Sequence, residues 1–375
     1  MQVQKAIITF RIDHCDPLGQ GVDKSGEGVT FIAKTLPGET GRALICKSKK
    51  GVHFAKLIAV TTPSVQRRPA ECPHFDDCPG CDYLHTDYKT ELGFKTAALR
   101  KYFQKIPFDW DRLEVLGAPG RWGYRNRIQL HYRDGKIGLV DGLLDRIVEI
   151  PACKVIQAAL RPSLEAFYAD RRWAQERPGR GHCELYVREG KVGTTWNRPY
   201  AQGGFSQVND EMNAVLRQAV TDCLKGAAPE TILDLFSGDG NLSDQLVEDH
   251  AAMRVRVDAA PIMPHPDFIR LDLFKPLALK AFEKKVRQDR FDVLLLDPPR
   301  SGFSMLNDWV LRYRPKSLIY VSCHPGTLAR DLAGLESSYA LTRLMLIDLF
   351  PSTHHFEVLV FVRFRDRTSS SANTA

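Results

Sequence analysis

The 375-residue chain has no apolar run approaching the roughly 18 residues of a membrane-spanning helix. Its N-terminus lacks the basic-then-apolar pattern of a secretory signal. A cytoplasmic protein with no membrane partner is therefore expected. The even, dispersed cysteines of a secreted disulfide scaffold are missing too: there are nine, an odd number, and several are bunched. Charge is not one-sided. Lys and Arg total 52 against 45 acids, and the net +7 is compatible with an anionic partner without identifying one. The phosphate-cradling signature G-x-x-x-x-G-K is absent, so a triphosphate ligand is disfavoured. What is present is a 43% hydrophobic chain, long enough for two or three domains. Nothing in it calls for a second subunit, and a monomer is expected.

Residues 5–60 alternate short apolar segments (AIITFRI, VTFIA, RALIC, HFAKLIAV) with Gly-rich turns such as GQGVDKSGEG. A small five-stranded barrel of the OB type is the natural solution. Its loops carry Lys47, Lys49 and Lys50, which could meet phosphate, and 61–70 reads as a linker. Next comes Cys72-x5-Cys78-x2-Cys81, broken by Pro73 and Pro79-Gly80 and therefore a loop. A fourth soft ligand must come from elsewhere, and Cys153, beside a proline, is the best candidate. An iron–sulfur cluster and structural zinc both fit this spacing. Residues 86–105 have helical spacing. The stretch 121–133, RWGYRNRIQLHYR, holds four arginines and three large aromatics without an acid. Arg125, Arg127 and Gln129 share strand parity there, and guanidinium groups among rings suit phosphate pairing and base stacking.

From about residue 200 strands alternate with helices, which predicts a doubly wound, mostly parallel sheet. The last two strands leave little room between them and should form an antiparallel edge. The first strand ends in DLFSGDGN (234–241), whose glycines let backbone approach a ligand. Asp258, Asp272 and Asp297 end the next three strands, completing a crevice for an adenosine ligand. In LIYVSCHPGTLAR (318–330) an apolar strand delivers Cys323 to its carboxyl end, just before a helix with Thr327 as N-cap. A helix N-terminus favours thiolate, which matters because an ordinary cysteine is only a few per cent ionised at pH 7.

DLFSGDGN, LLLDPPRSG, YVSCHPGTLARD and HHFE, with GYRNR, FSQVN, the barrel and the cysteine loop in the same order, resemble the S-adenosylmethionine-dependent RNA uridine-5 methyltransferases. Barrel (a TRAM domain in that family) and cluster (4Fe-4S there) together are most similar to the branch acting on 23S rRNA rather than tRNA. The resemblance implies a Rossmann-like class I methyltransferase fold at 200–367, a TRAM barrel at 1–62, a cluster-bearing central α/β RNA-binding region at 63–199 with helix 86–105 packing on the catalytic domain, and a disordered tail at 368–375. It further implies Cys323 as nucleophile and Glu357 as general base. Gln207, Phe236, Asn241, Asp258, Asp272 and Asp297 would line the methyl donor, and Cys72, Cys78, Cys81 and Cys153 would ligate the cluster, with zinc as the alternative. Arg121, Arg125, Arg127 and Lys49 are the expected RNA contacts.

One departure stands out. Where the family has a full helix after Asp258, this chain has only AAPIMPHPD, whose three prolines exclude one. Three other readings compete. A cytosine-5 enzyme calls for a second cysteine where Arg300 stands, and an amino-group methyltransferase calls for an aromatic residue after the two prolines. A silent RNA-binding module would not bind the donor.

Overall fold

The computed structural model describes residues 6–198, 206–250, 252–259, 265–335 and 339–364. The expected disordered tail, most of the glycine-rich stretch before Gln207, and two of the prolines after Asp258 lie outside the described residues. The chain divides into two units. One comprises residues up to 98, 118–210 and 349–355; the other comprises 99–117, 211–348 and the segment from 356 onward.

The first unit begins with five strands: β1 (Ile7–Cys15), β2 (Gln20–Asp23), β3 (Val29–Ala33), β4 (Thr40–Lys49) and β5 (Val52–Thr62). They close into a barrel in the order β1-β2-β3-β5-β4. Alternation sends Phe10, Ile12, Ile32, Ala43 and Ala55 inward as its core. Strand β2 lies inside the glycine-rich stretch read from sequence as a turn. Gly21 is there for packing, since a Cβ on it would fall 2.1 Å from Thr35 Oγ1.

Helix α1 (Tyr88–Tyr102) and the short strand β6 (Glu114–Leu116) follow, β6 belonging to the second unit. The first unit resumes with β7 (Arg127–Arg133), β8 (Lys136–Asp141), β9 (Arg146–Val148), helices α2 (Arg161–Ala169) and α3 (Arg172–Glu176), β10 (Arg180–Arg188) and β11 (Lys191–Trp196). The sheet order is β11-β10-β7-β8-β9. Ile128, Leu130 and Tyr132 point to the face covered by Leu164 and Trp173. Arg127, Gln129, His131 and Arg133 take the opposite face. Arg125 precedes the strand; its backbone forms isolated bridges to Asn209 and Ile156, and its Nε donates to Arg127 O at 3.0 Å.

In the second unit, α4 (Asp210–Cys223), whose first residue falls in the other unit, leads into β12 (Thr231–Leu235), α5 (Asp244–His250), β13 (Met253–Asp258), β14 (Phe268–Arg270), α6 (Ala278–Glu283) and β15 (Val293–Leu296). Then come α7 (Leu306–Tyr313), β16 (Ser317–Ser322), α8 (Pro325–Leu332), β17 (Tyr339–Ile347) and β18 (Glu357–Phe364). The eight strands run β14-β13-β12-β15-β16-β18-β17-β6. Strands β12 to β16 are mutually parallel, and the near-continuous apolar runs of β12, β15 and β16 match burial on both faces. The last two strands pair antiparallel, but they are not the edge. β18 inserts between β16 and β17, and β6 pairs parallel to β17 outside it. Three residues carry no periodicity to betray a strand; the Glu114 carboxylate, accepting from Arg343 Nε and Nη2 at 2.9 and 2.8 Å, helps hold it there. Strand order reverses between β12 and β15, so a crevice opens at their carboxyl ends.

Candidate active site

The crevice loop leaves β12 at Phe236, a non-glycine residue held at φ +60°, with its ring 5.4 Å from Phe274 and 5.1 Å from Phe303. Gly238 N–H donates to the Asp258 carboxylate at 3.0 Å, tying the turn to the end of β13. Asn241 and Asn213 exchange side-chain hydrogen bonds, both 2.9 Å. Asp272 lies beyond the three-residue β14, not at its end, and accepts from Phe274 N–H at 3.1 Å. Gln207 belongs to the first unit, where it is buried and its side-chain oxygen has no hydrogen-bond partner. A buried amide oxygen left open is where an ammonium or amide of a ligand would be welcome.

Register explains the next grouping. Ser322 pairs with Val358 across β16 and β18, so the residues just beyond, Cys323 and Glu357, face one another across neighbouring strands. Asp297 follows β15 on the other side of β16. Burial pushes the Cys323 thiol up to about 12, and Glu357 and Asp297 push the same way. The Arg300 guanidinium, in hydrogen-bonding reach of the thiol, pulls it down. Glu357 is 3% exposed, its Oε2 has no hydrogen-bond partner, and burial followed by Asp297 raises it well above the usual carboxylate range while Arg300 opposes. Asp297 is raised to about 7 by burial and by Asp234. Thiol and carboxyl are thus both neutral at rest, next to one cation. Arg300 was not singled out as a functional residue by the sequence, although its place directly after Asp-Pro-Pro was the available signal.

Helix α8 starts three residues earlier than an N-cap at Thr327 would place it. His324, not Thr327, is the N-cap: its Nδ1 accepts from Thr327 N–H at 3.2 Å, and Pro325 fills the first helical position. The Thr327 hydroxyl donates to the carbonyls of His324 and Arg300, at 3.0 and 3.2 Å. Arg330 donates to Ser301 O at 2.8 Å, and Asp331 accepts from Phe303 N–H at 2.6 Å and from the Tyr320 hydroxyl at 2.7 Å. The helix behind Cys323 and the loop carrying Arg300 are therefore one hydrogen-bonded piece.

In the first unit, Cys72, Cys78, Cys81 and Cys153 lie near enough for their charges to interact. Burial raises Cys78 to about 11 and raises Cys81 and Cys153 as well. Cys78 Sγ accepts from Gly80 N–H at 3.4 Å, and the Cys153 sulfur accepts from the N–H groups of Val155 and Ile156. Lys34, from the barrel, donates to Cys78 O at 2.9 Å and to Phe75 O. Four thiols with amide donors and a cation nearby suit an anionic, thiolate-ligated group. Among the described residues, no three His, Cys, Asp or Glu side chains converge on a single-ion site.

The expected RNA contacts divide. Arg121 donates to Thr86 O and Tyr83 O at 2.8 and 2.6 Å and pairs with buried Glu91 at 2.9 Å. Arg127 is buried against Glu184 at 2.9 Å. Both guanidiniums are engaged internally. Lys49 is exposed at the end of β4, and Arg125 is half-buried.

A Gly-lined crevice at the switch point of a mixed sheet, with a cysteine and a buried carboxyl at adjoining strand ends, is the layout of a class I methyltransferase fold. A family model described as tRNA (uracil-5-)-methyltransferase matches residues 275–365. The 23S rRNA (uracil(1939)-C(5))-methyltransferase of Shewanella baltica strain OS195 is 30% identical, the match covering 94% of this chain and 95% of that protein, and the corresponding protein of Shewanella sp. strain MR-4 is 28% identical over 94% of each. The Pyrococcus abyssi tRNA (uracil-54, C5)-methyltransferase, solved with S-adenosyl-L-homocysteine, shares the fold at TM-score 0.68 and 21% identity, covering 95% of this chain and all of that one. The chain belongs to the S-adenosylmethionine-dependent RNA uracil-5 methyltransferases. The baltica alignment spans 432 positions against 375 residues available, so that relative carries segments this chain lacks.

Proposed function

We propose that this enzyme methylates carbon 5 of a uridine in 23S rRNA through a transient covalent bond from Cys323, in the cytoplasm and as a monomer. The observation that carries it is the meeting of Cys323, Glu357, Asp297 and Arg300 at three adjacent strand ends. Carbon 5 of uracil is too weak a nucleophile to take a methyl group unaided. Cys323 releases its proton to water, with Arg300 stabilising the thiolate, which adds to carbon 6; the ring electrons move into an enolate. Carbon 5 of that enolate attacks the sulfonium methyl, leaving neutral S-adenosylhomocysteine. Glu357, its own proton already released to water, takes the carbon 5 proton, the ring double bond re-forms and the thiolate departs. Such a positioned base contributes on the order of 10²–10⁴-fold. Gln207, Phe236, Asn241, Asp258, Asp272 and Asp297 are assigned to the donor, Gln207 on the strength of its open buried oxygen.

The target base must be extruded from folded RNA at a cost of a few kcal/mol. Phosphate contacts from the barrel (1–62) and the central region (63–199) offset that cost. Lys49 and Arg125 serve here with exposed Gln129 and half-buried Arg133, while Arg121 and Arg127 brace the surface from behind. We assign Cys72, Cys78, Cys81 and Cys153 to a 4Fe-4S cluster with a structural role, since methyl transfer moves no electron. Structural zinc, held tetrahedrally by the same four sulfurs, is the alternative occupant.

The test is transfer of labelled methyl from S-adenosylmethionine to 23S rRNA and, separately, to tRNA, with mapping of 5-methyluridine. Label in 23S rRNA is expected. Label only in tRNA would move the substrate assignment to tRNA, and donor binding without transfer to either would support a silent RNA-binding module.

A further inference from the structure

The short connection after Asp258 poses a physical problem. In a doubly wound sheet the crossovers on one side of the switch point are right-handed and cover the same face. A crossover helix between β13 and β14 would lie beside α5, over the face of β13 behind the crevice loop, but the sequence between the two strands, AAPIMPHPD, is too short and proline-rich for one. Its absence should leave that loop without support on this side.

Two arginines occupy that face instead. Arg254 and Arg256 alternate with Val255 and Val257 along β13, so both point the same way. Their side chains are 9% and 6% exposed. Asp267, which closes the short connection, holds both: its Oδ2 accepts from Arg254 Nε at 2.7 Å, and its Oδ1 accepts from Arg256 Nε and Nη2 at 3.0 and 2.8 Å. Backbone pairing fixes the hub in place, with Arg256 N–H donating to Asp267 O at 2.7 Å.

From this anchor the guanidiniums reach the crevice loop. Arg256 Nη1 donates to Asp239 O at 2.8 Å, inside the turn between the two glycines. Arg254 Nη1 donates to Ser243 Oγ at 3.0 Å and to the Asp244 carboxylate, at the start of α5. The Ser243 hydroxyl in turn donates to buried Asp234 at 2.5 Å. Packing is close: Gly240 sits at φ +98°, and a Cβ there would lie 3.0 Å from Arg256 Nη1 and 2.5 Å from Asp244 Oδ1. The turn is held both by this contact and by the Gly238–Asp258 bond on its other side.

We propose that Arg256, anchored by Asp267, is a positioning residue for the methyl donor, holding the Asp239–Gly240 turn in its binding shape in place of the absent helix. The inference rests on the reading of this crevice as the donor site. A loop held in place before binding costs less to order when the ligand arrives, so the contribution appears in affinity. The chemistry at Cys323 does not pass through Arg256, and turnover at saturating donor is unaffected.

The experiment is calorimetric titration of S-adenosylhomocysteine into the full-length protein. Loss of one charge-assisted hydrogen bond to the turn in Arg256→Met is expected to weaken binding by about tenfold or more. The KM for S-adenosylmethionine rises in parallel and kcat stays near wild type. Arg256→Lys, which keeps a donor of similar reach, recovers part of the affinity. Asp267→Asn leaves the guanidinium but loosens its anchor, and is expected to weaken binding by a smaller factor; it serves if Arg256→Met does not fold. Affinity within about twofold of wild type in either folded variant would overturn the proposal, as would a fall in kcat with KM unchanged. Failure of the wild-type protein to bind S-adenosylhomocysteine would instead strike the donor-site reading.

Discussion

Two groups of cysteines in this molecule start from the same chemistry and are prepared for different ends. Cys323 and Cys78 are both thiols that burial pushes far from their ordinary range, to about 12 and about 11. What differs is the company. Around Cys323 stand two carboxyls and one arginine, groups that exchange protons. Around the four clustered cysteines stand other sulfurs, amide N–H donors and the Lys34 ammonium, groups that tolerate permanent negative charge. Burial alone makes a thiol inert. In the function proposed above, what ionises the thiol is a proton acceptor and electrophile in one case and a bound cluster or metal ion in the other.

The comparison is most sharply broken by Cys323→Ala. Transfer of labelled methyl is expected to fall by at least about 10⁴-fold, while S-adenosylhomocysteine affinity and the iron content stay as in wild type. Full activity in this variant would end the covalent mechanism. Next in size is Glu357→Gln, expected to lower turnover by about 10²–10⁴-fold and to leave protein covalently joined to RNA, seen as a band that survives a denaturing gel. Lack of that band would remove the base assignment.

At the other site, Cys78→Ser is expected to lose iron and the brown absorbance near roughly 400 nm after anaerobic purification, with a lower melting temperature. Zinc with no iron in the wild-type protein would replace the cluster by a mononuclear site. The smallest effect is on pH. Cys323 and Glu357 are both raised, so each is protonated at neutral pH and must lose its proton to act. The kcat/KM should therefore climb through about pH 6–9 with no plateau. A plateau reached below neutrality would mean that the groups ionise more easily than their burial implies.

Much of this was readable from residue order. Four of the five barrel strands follow from alternation, the parallel sheet from apolar runs at strand length, and the crevice from Gly238, Gly240 and the acid that ends β13. Those signals are local and survive in one dimension. The N-cap assignment at Thr327 failed because His324, a less usual capping residue, was overlooked. Strand β6 was invisible because three residues show no period. The engagement of Arg121 and Arg127 was hidden because their partners, Glu91 and Glu184, lie 30 and 57 positions away in opposite directions along the chain.

By itself the sequence determined which residues could carry chemistry: a cysteine after a buried strand, a glutamate 34 positions later, four clustered thiols and a proline-filled gap where a helix belongs. Only the tertiary structure decided which of them meet. The antiparallel insertion of β18 next to β16 sets Glu357 across from Cys323, and the parallel placement of β15 adds Asp297 and Arg300. The arginines of β13 fill a face that the missing helix leaves bare. Strand order and register depend on non-local burial and backbone pairing, which residue order constrains but does not display.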